Sequence, residues 1–340
     1  MGIAADFRLS RARAIAASCP VLLVVAIVCA APPAAVAADC ASEAGCIQQL
    51  RFGETRVQRE FAARLLGELG DPAAVPALVE ALKKDGGDFV RANSARALGQ
   101  IGSPDAGAAL TEALKSDRET PVREAAAWAL GKIAAPGGAA ALAGAVKTDA
   151  AYEVRVAAIG ALDEIGGAGG TAAVVGALTG DPRREVRLKA AHALARLKGD
   201  GAGEALKGAL AGDADAAVRA QVARSLGELD DPALGASLTA AVEADKDASV
   251  RQAAAGGLGK RRETGAVPAL IRTLQRDGSL EVRQEAAIAL GRIGGPEAKE
   301  ALAYFAEHSI FPEIRRVAND ALEEYADRVN AAAPAVKQAR

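Results

Sequence analysis

Few residues of this 340-residue chain are equipped for chemistry. There are two histidines, His192 and His308, one tryptophan, Trp128, and four cysteines, Cys19, Cys29, Cys40 and Cys46. His192 is followed by Ala193, and His308 stands between Glu307 and Ser309; two isolated imidazoles this far apart do not make a dinuclear metal site. No nucleophile, base and acid form a visible hydrolytic set. The run Gly166 to Gly170 joins two helical segments with no strand before it, which is not the context of a phosphate loop. No catalytic residue, metal site or cofactor is therefore expected. What the chain does hold in quantity is paired charge.

Nine arginines fall on an unbroken 32-residue grid: Arg59, Arg91, Arg123, Arg155, Arg187, Arg219, Arg251, Arg283 and Arg315. An acid precedes seven of them by six residues: Asp85, Asp117, Asp149, Asp181, Asp213, Asp245 and Asp277. Gly53 and Ser309 replace it at the two ends. Each carboxylate can accept amides of a turn, while the guanidinium one helical turn further on can bridge to it or to the copy in the neighbouring unit. A polar pair repeated in every unit does the same structural job in every unit. Because each cation arrives with its own acid, the row is not a phosphate-binding surface.

A leucine follows each arginine by seven residues, from Leu66 to Leu322. Fixed periods of this size mark stacked supersecondary units. Residues Ser103 to Ile133 show one: Ser103-Pro104 as helix start, Leu110, Ala113 and Leu114 as the face of a first helix, a polar turn over Asp117 to Thr120, then Pro121 opening a second helix. Val122, Ala125, Ala126, Ala129, Leu130 and Ile133 trace its apolar stripe. Gly131 and the residues after it are read as the end of the unit. Nine such hairpins fill residues 42 to 329, so the expected fold is an all-α solenoid over 39–330 with a flexible tail at 331–340. Aromatics make up only 3% of the chain, which suits thin alanine-rich contact layers better than one broad core. Those at the ends, such as Phe52, Phe61, Phe89, Tyr304, Phe305, Phe311 and Tyr325, fit the distinct faces that terminal repeats need.

The pattern Asp-x5-Arg followed by an alanine-rich Leu-Gly-x-Ile-Gly helix, as in Asp117 to Gly131 and Asp277 to Gly294, resembles the HEAT repeat. The likeness is greatest to the short bacterial subtype named for phycobilin lyases. The resemblance implies an armadillo-like right-handed superhelix whose second helices line the concave side, an architecture shared by scaffolds, bilin-attaching lyases and an iron-dependent hydroxylase. That hydroxylase holds iron through His-Glu dyads, and this chain has none.

Arg8, Arg11 and Arg13 precede an apolar run from Val21 to Ala31 and small-x-small sites ending at Ala37 and Ala38, the pattern of a secretory signal peptide over residues 1–38. The run is short for a membrane span of about 20 residues. Export to the periplasm or the extracellular space is expected, with no membrane insertion after cleavage. Loss of Arg8, Arg11, Arg13 and Asp6 takes the formal charge from −2 to −4, which gives no general attraction for nucleic acid. Only Cys40 and Cys46 then remain, and an exported close pair most simply forms a disulfide. Within one helix residues six apart lie about 9 Å from each other, so Cys40 must precede the helix and fold back over it.

Function is sought where the units differ. At about 100° per residue, the fifth and ninth residues after each ladder arginine lie opposite the buried stripe. The fifth positions include Arg64, Arg96, Trp128, His192 and Arg224, and the ninth include Lys132 and Arg196. These seven are the candidate partner-binding residues, with Trp128 as anchor, since Trp and Arg dominate the energetic centres of interfaces. The expected function is an exported, non-catalytic scaffold for a protein or peptide, acidic or aromatic in character. The alternatives are a lyase-like chromophore-attachment protein and an envelope element without a specific ligand. Gly256 and Gly257 inside a second helix, with Arg261 in place of an apolar residue, mark the expected weakest joint.

Overall fold

The computed structural model describes Cys40 and residues 42–135, 137–197 and 199–337. The expected leader, residues 1–38, lies outside them. The chain divides into two compact units, one ending at Ile165 and one beginning at Gly166. The first holds α1 (Glu43–Phe52), α2 (Arg56–Leu69), α3 (Val75–Lys84), α4 (Asp88–Ile101), α5 (Gly107–Ser116), α6 (Thr120–Ile133), α7 (Gly138–Thr148) and α8 (Tyr152–Ile165). The second holds α9 (Thr171–Gly180), α10 (Arg184–Leu197), α11 (Ala202–Gly212), α12 (Ala216–Leu226), α13 (Gly235–Ala244), α14 (Ala248–Arg261), α15 (Val267–Arg276), α16 (Leu280–Ile293), α17 (Pro296–His308) and α18 (Pro312–Lys337). Odd and even helices are the two arms of nine hairpins, and no strand occurs among the described residues. This is an all-α solenoid. Helix α18 runs to Lys337, into the segment expected as a flexible tail, where Ala331, Ala332 and Ala333 favour helix.

Each second helix packs on its own first helix and on the second helices before and after it within its unit. Leu66, Leu98, Leu130, Leu194, Leu226, Leu258 and Leu290 are wholly buried, whereas Leu322, in the last hairpin, is only half-buried. At the other end Cys40 and Cys46 form a buried disulfide with Cα atoms 4.3 Å apart, and Cys40 precedes α1 as the spacing requires. The terminal aromatics are less enclosed than a capping role suggests: Phe52 is 72% exposed and Tyr304 58%. Arginines cover several others, with Arg56 over Phe89, Arg64 over Phe61, Arg283 over Phe311 and Arg328 over Tyr325.

The ladder closes between repeats. Arg91 Nε and Nη2 donate to the two carboxylate oxygens of Asp117 at 2.7 and 3.0 Å, while Nη1 donates to the backbone carbonyl of Asp85, its own turn, at 3.0 Å. The same three bonds recur in Arg59 and Arg123, with Gly53 supplying the carbonyl for Arg59. In the second unit Arg187, Arg219 and Arg251 fork onto Asp213, Asp245 and Asp277 in the same way. Of the two bridging partners open to the arginine, the neighbour's carboxylate is the one used; its own turn offers the carbonyl. The aspartate is engaged twice, since Oδ1 also accepts the amide two residues on, as from Asp215 to Asp213 at 2.9 Å.

Glycine plays a different part from the one expected. Gly131 does not end its unit, for α6 continues to Ile133 and Ala134 at φ 45° closes it. A Cβ on Gly131 would stand 2.8 Å from Ala161, one on Gly99 2.9 Å from Ala129 Cβ, and one on Gly259 2.9 Å from Ala289 Cβ. The helices that meet here approach until only glycine fits against alanine. Close glycine packing recurs at the joint expected to be the weakest. Gly257 lies against Gly227, where a Cβ would come within 2.7 Å of Gly257 Cα. The Arg261 guanidinium, standing where other units have an apolar residue, crosses to the carbonyls of Leu226 at the end of α12 and of Leu229 and Asp231 beyond it.

Four outcomes follow from these contacts. Burial alone would raise the Asp213 carboxyl, but hydrogen bonds from Arg187 and from the Asp215 amide outweigh it and hold the group below the ordinary range. A depressed folded-state value stabilises the native state at pH above the unfolded value of about 3.9, and that contribution is lost as pH falls through the folded value. The stability difference between wild type and Asp213→Asn should thus stay constant from about pH 5 to 7 and shrink below about pH 4. Urea melts of Arg187→Ala, Asp213→Ala and the double variant should give a coupling of about 1–3 kcal/mol, larger than for Arg187 with Asp181. In the helix contacts, Gly259→Ala should cost about 1–3 kcal/mol by overpacking, and Leu194→Ala about 2–5 kcal/mol, each read from the same melts.

Candidate functional site

The second helices turn their fifth and ninth positions away from the buried seam, as the helical period requires. In the first unit Arg64 and Arg96 are exposed, Lys132 is exposed and Trp128 is half-buried. Arg64 stacks on Phe61 with its guanidinium carbon 5.5 Å from the ring centre. Arg96 forms no ion pair among the described residues.

Trp128 occupies an intermediate place. Its Cζ3 edge rests where Gly99 of the preceding repeat has no side chain, 2.8 Å from the position a Cβ would take. Lys132, one turn on, sets Nζ 5.6 Å from the ring centre and pairs with Glu164 at 3.0 Å. The ring is thus seated by a glycine that helix packing already demanded, with part of its surface left to solvent. Glu68, Gln100 and Glu164 complete the exposed rungs of this unit.

In the second unit His192, Arg196 and Arg224 are exposed on the same stripe. Glu228 pairs with Lys260 across one repeat at 3.0 Å. Half-buried Lys189, on the face of α10 shared by His192 and Arg196, is a residue the fifth-and-ninth pattern passes over; widening the stripe to the second position would have found it. His308 is engaged elsewhere, stacked on Tyr304 at 4.7 Å with Nδ1 3.0 Å from the Tyr304 carbonyl.

Two open clefts lie on the first-helix side of the first unit. One of about 420 Å³ separates α3 from α5, with Leu82, Ala109 and Ala113 along its walls and Arg91 and Asp117 at its base. The other, about 600 Å³, separates α5 from α7, over Arg123 and Asp149. The Arg91–Asp117 and Arg123–Asp149 charges that line them are committed to ladder forks. Among the described residues no group of three or more His, Cys, Asp or Glu is placed to hold a metal ion, and no helix is long and apolar enough to cross a membrane.

A family profile described as HEAT repeats matches residues 44–131, 90–163, 112–194, 138–227, 171–255 and 235–323. No curated protein sequence matches the chain. Among solved structures, the yeast importin-beta Kap95p in its RanGDP structure has a TM-score of 0.61 at 15% identity, over 84% of this chain and 44% of its own. This chain therefore spans less than half of that protein. YibA of Escherichia coli has a TM-score of 0.50 at 21% identity over 80% of this chain and 99% of its own. The complex of CpcE and CpcF of phycocyanin lyase from Nostoc reaches 25% identity over 84% and 94%, with a TM-score of 0.34.

The seating of Trp128 is open to measurement. Acrylamide should quench the emission of this sole tryptophan at a rate between those of buried and free indole. Gly99→Ala should shift that emission by displacing the ring edge. An unquenchable ring would put Trp128 in the core.

Proposed function

The chain belongs to the HEAT-repeat family, and on that premise we propose that it is an exported scaffold, not a catalyst, which holds a protein or peptide partner along the concave face of its second helices. The observation that carries this reading is the Trp128 site. A large indole is seated on Gly99 yet left half-exposed, in the row that also carries the unpaired Arg96. Tryptophan and arginine are the residue types that most often supply the energetic centre of an interface. Kap95p, a similar fold, is described as binding RanGDP, which agrees with a solenoid that works by presenting surface. The apolar run Val21 to Ala31 with its small-x-small sites supports export to the periplasm or the extracellular space.

The partner is expected to be acidic or aromatic where it meets Arg96 and Trp128. Crosslinking of the protein in its native envelope should capture a partner that Trp128→Ala loses by tenfold or more, about 1.4 kcal/mol or above, while the melting temperature moves by no more than a few degrees. N-terminal sequencing should begin at Ala38 or Asp39. A covalently bound chromophore on the purified protein would replace the scaffold reading with the lyase-like one. Partner yield unchanged by Trp128→Ala would remove Trp128 as the anchor.

A further inference from the structure

We propose that the unit beginning at Gly166 carries a separate subsite for an acidic polypeptide segment, formed by Lys189 and His192 of α10 with Arg224 of α12. This rests on the scaffold reading and names the chemistry of one part of its surface. Lys189 and His192 stand at i and i+3, so they share one face of α10. Helix α12 packs beside α10, and Arg224 holds the register position of His192 one repeat later. Lys189, His192 and Arg224 make no ion pair among the described residues. The acid on the same stripe, Glu228, is already held by Lys260 at 3.0 Å.

The next rung is bare. In α14 the corresponding positions are Ala253 and Gly256, which leave backbone beside Arg224. Glu285 of α16 leans over that backbone, with Oε1 3.0 Å from the place a Gly256 Cβ would occupy. Burial pushes the Glu285 carboxyl above its ordinary range, against the pull of Arg292. The result is a pair of cations, Lys189 and Arg224, flanking His192 and bordered by a rung with no side chain larger than alanine at these two positions. In the first unit Arg64 is stacked on Phe61 and Lys132 is paired with Glu164, which leaves Arg96 without a second unpaired cation beside it on the stripe.

Spacing selects the ligand. Packed helix axes lie about 8–10 Å apart, and an extended chain advances about 3.3 Å per residue, so one repeat matches about three residues of a bound strand. Carboxylates at every third position would meet successive cations, and guanidinium groups can grip them by paired hydrogen bonds. A single-stranded nucleic acid would need aromatic platforms for its bases. This stripe has none across α10, α12 and α14, and the chain as a whole is net negative.

The test uses the full chain and a fluorescein-labelled twelve-residue peptide with Glu at every third position among Gly and Ser, against its Gln counterpart. Anisotropy should show the Glu peptide bound at least tenfold more tightly, with affinity falling several-fold between about 50 and 200 mM salt. Lys189→Glu with Arg224→Glu should lower that affinity at least tenfold with an unchanged circular dichroism spectrum, Lys189→Arg should retain it, and Trp128→Ala should alter it less than twofold. Equal binding of the two peptides, or indifference to charge reversal, would overturn the subsite, as would tighter binding of an oligonucleotide of equal charge. If charge reversal spares the crosslinked partner while Trp128→Ala loses it, the scaffold reading stands and this subsite falls. If neither variant loses the partner, both fall.

Discussion

The stack depends on one repeated fork. Arg59, Arg91, Arg123, Arg187, Arg219 and Arg251 each spend two N–H groups on the carboxylate of the next turn and a third on a carbonyl of their own, so a single side chain ties a helix to two successive turns. The aspartate answers by accepting a turn amide as well. Both members are largely shielded; the Arg219 and Asp245 side chains are 6% and 10% exposed. Removing one partner of such a pair leaves a charge that the surroundings no longer satisfy, whereas the intact pair has its donors and acceptors matched. The bond also sets register, because an arginine can reach only the turn that immediately follows.

A second constraint acts where the same helices meet those of the next repeat. Their axes come close enough that glycine faces alanine at Gly67, Gly99, Gly131, Gly259 and Gly291. This explains why alanine crowds the sequence and why large side chains are few in the interior. It also accounts for the setting of Trp128, whose ring uses the space above a glycine that packing had already required. The surface proposed for a partner is built on the geometry that holds the repeats together.

The hairpins, their number, the buried leucines and the Cys40–Cys46 bridge were all legible in the amino-acid order, because a period of 32 residues leaves little freedom once each helix must bury one stripe. The partner of each arginine was not. A carboxylate six residues back and one 26 residues on are equally compatible with spacing, and only packing selects between them. Gly131 was misread for a related reason: a glycine near a helix end signals termination locally, while its use here lies in a neighbour one repeat away. Arg261 looked like a defect in an apolar column, and its role shows only when the carbonyls left by the shortened α12 are in view. The exposed stripe was legible as a location, but the fifth-and-ninth positions omitted Lys189. What docks there is not encoded by periodicity, since solvent-facing positions are free to vary from unit to unit.

If the inter-repeat fork is what holds neighbours together, its loss should be felt locally. Hydrogen exchange of Asp213→Asn, compared with the wild-type chain at pH 7, tests this directly. The account predicts lost protection concentrated in α10, α11 and α12, with the remote hairpins α1 to α4 and α17 to α18 unchanged. Protection lost evenly along the whole chain, or retained in α10 to α12, would contradict it.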